Sequence, residues 1–199
     1  MSGSNSMVSE PSKSILHQLD SAEQILLTAR QSYDYWWFLQ NSENASKYRR
    51  SFTHFTEYFA INSSAHLSNY VVRICILLDK TKGSKGIQHT LKLIKNDLNT
   101  VKKLLLTTDN ELREVETVGE KLKQLRSNIY AHRSNSKTPV QIYDEVKITP
   151  DEMVAHQNRL LKIYNDLRAA YNLGNVEFRT EFIAADLARI WDVLEKSII

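Results

Sequence analysis

Only five glycines and three prolines punctuate 199 residues. A sandwich or barrel of many short strands needs turn-formers at short intervals, so this scarcity points to long helices. The apolar residues agree. Ile15, Leu16, Leu19, Ala22, Ile25, Leu26 and Ala29 recur at three- and four-residue spacing, the stripe of a core-facing helix running from about residue 14 into the 36–37 aromatics. "YDYWWFLQ" follows, and its Trp36, Trp37 and Phe38 are expected to be largely buried, in the core or at a dimer contact.

A second, long helix is expected over residues 46–78, apolar at Phe52, Phe55, Phe59, Leu67, Tyr70, Ile74 and Leu77, and ended by Gly83 and Gly86. "IQHTLKLIKNDLNTVKKLLL" reads as one or two shorter helices. The next helix is expected to open at Thr108 or Asp109 as cap, with Leu112, Val115, Leu122, Leu125 and Ile129 as its buried seam. Residues 138–148 read as a connection with a short extended piece at 140–143. "TPDEM" then restarts a helix, with Thr149 as cap, Pro150 in the first position and Glu152 closing a capping box. That helix stops at "NLGN", and a last one covers about residues 179–196. The sum is an all-α bundle of five to seven helices, a single domain over residues 14–199.

The N-terminal "MSGSNSMVSEPSKS" carries six Ser and no apolar core, so it is not a signal peptide. Residues 1–13 read as a disordered lead-in, with Met7 a candidate natural start behind a vector-derived hexapeptide. Charged residues make up 25% and hydrophobic ones 42%, the balance of a soluble globular protein. No apolar stretch approaches the roughly 20 residues of a membrane span, so no membrane partner is expected. The single Cys75 excludes an intramolecular disulfide and a cysteine-cluster metal site. Its apolar neighbours suggest a buried, inert thiol in a reducing cytoplasm. No phosphate-binding glycine loop and no metal-ligand spacing occurs, so neither a cofactor nor a metal is expected.

The net charge of +3 is mild, but residues 80–103 hold seven Lys against one acid, Asp97, and Lys47, Arg49 and Arg50 cluster upstream. Such a stripe is either a solvated helix face or a footprint for phosphate-bearing partners.

The stretch with most chemistry is "LRSNIYAHR", residues 125–133. If the helix ran on unbroken, six steps of about 100° would set His132 about 120° around from Arg126. Asn128 and His132 would share one face, Arg126 and Arg133 another. A single chain would therefore pair Arg126 and His132 poorly, whereas a twofold dimer would bring an Arg from one copy to a His from the other. The chemistry available is RNA cleavage without metal. RNA supplies its own 2′-hydroxyl nucleophile, an imidazole moves the proton, and a guanidinium faces the developing phosphorane charge. The alternative is a His132 that caps last-turn carbonyls, with both arginines in water.

An all-α bundle with Arg, five residues and His near the end of a long helix resembles the HEPN superfamily. "LRSNIYAHR" and the upstream "LSNYVVRICILLDKTKGSKGIQHTLKLI" are similar to its abortive-infection, AbiU-like branch, over roughly residues 14–172. The resemblance implies a homodimer with both motifs in one cleft, and in active members a metal-independent endoribonuclease of toxin–antitoxin or anti-phage systems. It implies Arg126 and His132 as catalytic residues, with Ser127, Asn128 and Arg133 beside the substrate. It also implies RNA or a nucleotide as ligand and an antitoxin or nucleotidyltransferase as partner. Active members carry Asn, Asp or His after the Arg. Here it is Ser127, which can hydrogen-bond a phosphate but reaches less far, and inactive relatives are binding modules for nucleotides or proteins.

Overall fold

The computed structural model describes residues 11–81, 84–97, 102–131 and 139–198. Among these no strand occurs. The helices are α1 (Lys13–Gln40), α2 (Ser42–Lys47), α3 (Arg49–His54), α4 (Thr56–Leu77), α5 (Ile87–Asp97), α6 (Lys102–Leu125), α7 (Pro139–Val146), α8 (Pro150–Ala169) and α9 (Thr180–Ser197), with a π-helical segment, Arg126–Ala131, appended to α6. The all-α bundle read from the sequence is observed. It is divided more finely than expected, into nine α-helices among the described residues.

Helix α1 is the central element and packs along α4, with α5, α8 and α9 also against it. Its stripe Ile15, Leu19, Ala22, Ile25, Leu26 and Ala29 is buried together with Leu67, Tyr70, Ile74 and Leu77 of α4 and Leu160, Ile163 and Leu167 of α8. Burying a branched aliphatic side chain contributes about 1.5–3 kcal/mol, so this shared face holds the bundle together. Polar bonds fix its register. The Tyr164 hydroxyl of α8 donates to the Leu19 carbonyl at 3.0 Å, and Arg168 pairs with Glu23 at 3.0 Å.

The expected long helix over 46–78 is broken twice, at Tyr48 and Phe55, whose backbones leave helical geometry at φ −109° and −114°. The cause is a second, aromatic core. An unbroken helix would spread Tyr48 and Phe59 about 16 Å apart along its axis. In the structure both reach the Trp191 indole of α9, with ring centroids 5.5 and 4.2 Å away, and Phe52 stacks on it at 4.7 Å. Glu195 of α9 accepts from the Ser51 amide and hydroxyl at 2.8 and 2.6 Å, locking α3 in place. Two of the three residues of the upstream basic cluster serve the same contact. Lys47 pairs with Asp192 at 3.1 Å, and Arg50 donates to the Ile198 carbonyl.

Two further expectations are corrected. Helix α6 begins at Lys102, so Thr108 and Asp109 lie inside it rather than at its cap, and Thr108 is fully buried. A cap needs amides without partners, and here the preceding turns supply carbonyls to the amides at 108–109. The connection at 138–148 holds α7 in place of an extended piece, with Ile142 and Val146, four apart, buried against the bundle. The capping box of α8 forms as read, with the Glu152 amide donating to the Thr149 hydroxyl at 3.2 Å and the Thr149 amide to the Glu152 carboxylate at 2.8 Å. Of the aromatic run, Phe38 is buried and Trp36 half-buried, but Trp37 is 38% exposed in the single chain.

Candidate functional site

The candidate site lies where α4 and α6 end side by side. Two glycines make that approach possible. A Cβ on Gly119 would sit 2.5 Å from the Leu78 Cδ1, so α6 lies close enough to the end of α4 that a larger residue there would require the Leu78 side chain to move. A Cβ on Gly86 would stand 2.2 Å from the Asp79 carbonyl oxygen, so the turn after α4 closes only around a glycine. Asp79 stabilises that turn by accepting from the Thr81 amide at 2.9 Å. Those hydrogen bonds from Thr81, with the charges of Arg126 and Lys123 adding to them, hold its carboxyl below the usual carboxylate range.

Leu125 is fully buried, and from Arg126 the backbone widens into the π-helical segment, which packs on α4 and α7. In a π-helix each amide bonds five residues back, so the azimuths of an ideal α-helix do not carry through residues 126–131. The turn is rare and recurs at functional sites. No glycine or proline enforces it here. Ile129, half-buried against the core, is the anchor of the widened turn, and it leaves Arg126, Ser127 and Asn128 exposed. The Arg126 guanidinium makes no hydrogen bond or ion pair with any described residue, although its charge reaches Asp79 and Cys75. Two of the five residues expected at the site, His132 and Arg133, lie outside the described residues. The three that are described therefore share one solvent-facing turn.

The described lysines between residues 80 and 123 are divided. Lys80 pairs with Glu116 at 2.7 Å, Lys121 with Glu152 at 2.7 Å and Lys123 with Glu120 at 2.6 Å. Lys85, Lys92 and Lys95 are exposed. Cys75, behind the turn, is buried, and burial pushes its thiol up to about 11, so it is not a nucleophile near neutral pH. Among the described residues no three His, Cys, Asp or Glu side chains converge as a metal ligand set, and no helix is long and apolar enough to cross a membrane. Two of the grooves among the described residues lie elsewhere. One is bordered by Trp36, Phe52, Phe59 and Tyr143, the other by Arg30, Asp34, Phe178 and Arg179, and Arg126 lines neither.

The all-α helical fold is consistent with the HEPN class, which the match to a family model shows. Within that class the chain belongs to the AbiU2 abortive-infection family, whose sequence model matches residues 12–194. The match runs beyond the 14–172 read from the motifs and takes in most of α9. No curated protein and no solved structure matched the chain.

Proposed function

We propose that this chain is a homodimeric HEPN protein that binds RNA at the Arg126 turn and cleaves it without a metal ion. The observation that carries the reading is Arg126 itself. A guanidinium held at an exposed π-helical turn, with no ion pair among the described residues, is a ready phosphate contact. Ser127 and Asn128 beside it offer neutral donors to the same phosphate. In this scheme the 2′-oxygen attacks the adjacent phosphorus and the bond to the 5′-oxygen breaks. His132 handles the proton passing between those oxygens, and Arg126 faces the phosphorane charge. Arg133 adds a further cation. The cell compartment in this reading is the cytoplasm, and an antitoxin or nucleotidyltransferase is the regulating partner.

Ser127 supports a second reading, a catalytically silent dimer that binds a nucleotide or a protein. One experiment separates the two. Purified protein is incubated with total RNA in EDTA, wild type beside His132→Ala and Arg126→Ala, and RNA retention is measured by filter binding. The first reading expects fragments with wild type only, and weaker retention with Arg126→Ala. Retention without fragments in wild type selects the silent module. Absence of both overturns RNA as the ligand.

A further inference from the structure

Helix α9 is apolar on two faces. One carries Leu187 and Trp191 into the aromatic core. The other points to solvent with Phe182 60% exposed, Ile190 57% and Val193 67%. Large apolar side chains aligned on an outer helix face mark an interaction surface, whereas scattered ones do not. At about 100° per residue, Phe182 and Val193 lie about 20° apart in azimuth, with Asp186 and Arg189 about 30° to either side of their mean line and Ile190 at its edge.

The order of these residues identifies the partner. Phe182 and Val193 are equally spaced about the midpoint between Leu187 and Ala188, and so are Asp186 and Arg189. Laid antiparallel on a copy of itself about a twofold axis through that midpoint, α9 sets Phe182 level with Val193 of the partner subunit. Asp186 then stands level with Arg189 of the partner subunit. An isologous interface requires this pattern, since every contact must occur twice with roles exchanged. In the single chain Asp186 and Arg189 form only a loose pair at 3.6 Å, with side chains 70% and 81% exposed, so both are free to bond across an interface.

We propose that the outer face of α9 is a homotypic interface, at which a second copy of this chain docks antiparallel with Phe182 against Val193 and Asp186 against Arg189. It lies on a different element from the Arg126 turn and is independent of any RNA chemistry. Were both faces used at once, two distinct twofold axes would build a tetramer where they cross at right angles and a larger assembly otherwise.

The test is a charge-reversal cycle read by sedimentation velocity on the full chain. Asp186→Arg places four arginines at the contact and Arg189→Asp places four aspartates. Each alone should halve the sedimenting mass at a concentration where wild type is assembled. An equimolar mixture of the two should restore it, because one copy then presents only cations and the other only anions. The double swap D186R/R189D should sediment as wild type. Circular dichroism of each variant checks that the helices are intact, which the exposure of both side chains favours. A wild type that stays monomeric, single variants that keep the wild-type mass, or a mixture that fails to reassociate would each overturn the interface.

Discussion

His156 shows how a single side chain can be placed by a pattern and still mislead. Its spacing to Met153, Leu160 and Ile163 puts it on the core face of α8, where it is 2% exposed. Of the six histidines, His132 is the one with polar companions along the chain, so the sequence alone singles it out and not an imidazole set among aliphatics. Desolvation lowers the His156 pKa to about 4, a weak contact to the Val115 carbonyl acts in the opposite sense, and neither ring nitrogen has a well-formed hydrogen bond. The folded state therefore keeps it neutral, while the unfolded chain protonates it below about 6.5. Between those two values the unfolded state binds more protons, so stability falls as pH falls, by roughly 2–3 kcal/mol across the window. Urea unfolding from pH 7 to pH 4.5 should show this loss, and His156→Leu should flatten most of it. An unchanged slope in the variant would assign the loss to other groups.

At the scale of elements, local signals were reliable where they were chemically closed. The Thr149–Glu152 capping box and the apolar stripe of α1 are decided by neighbours within one or two turns. The turn after α4 belongs to the same class, since Gly86 was legible as a breaker. Its closeness to the Asp79 carbonyl was not, because that contact joins the two ends of the turn in space. Gly86→Ala forces backbone against a Cβ and should cost about 1–3 kcal/mol, as overpacking does. The urea midpoint should drop with the m-value unchanged. Because Asp79 and Arg126 interact through their charges, the same variant should also weaken RNA retention if the turn supports the binding face. The breaks at Tyr48 and Phe55 answer to Trp191, more than 130 residues away in sequence, and no local pattern announces them. Helix α7 was missed for a related reason. It is an 8-residue helix whose burial of Ile142 and Val146 depends on the bundle it docks against.

For the whole molecule, the number of chains in one functional unit can be measured by complementation. With Arg126 and His132 drawn from different subunits of a dimer, Arg126→Ala and His132→Ala would each be inactive alone. After subunit exchange in an equal mixture, half the dimers are mixed, and each of those carries one intact composite site. Cleavage should then recover to about a quarter of wild type. No recovery despite verified exchange would place both residues of a site on one chain.

The sequence by itself determined the class of fold, the course of α1, α8 and α9, and the family, because helical periodicity and caps are short-range and a motif in its helical context is written in the chain. Only the tertiary structure decided where the long second helix breaks, that α6 starts before Thr108, and that its end unwinds into a π-helical turn. It also decided which of the described lysines pair with acids. The helix breaks and the lysine pairs depend on what lies opposite in space, such as an indole or a carboxylate on another helix. Periodicity along one chain carries no record of such partners, because it reports which face is apolar and not what that face will meet.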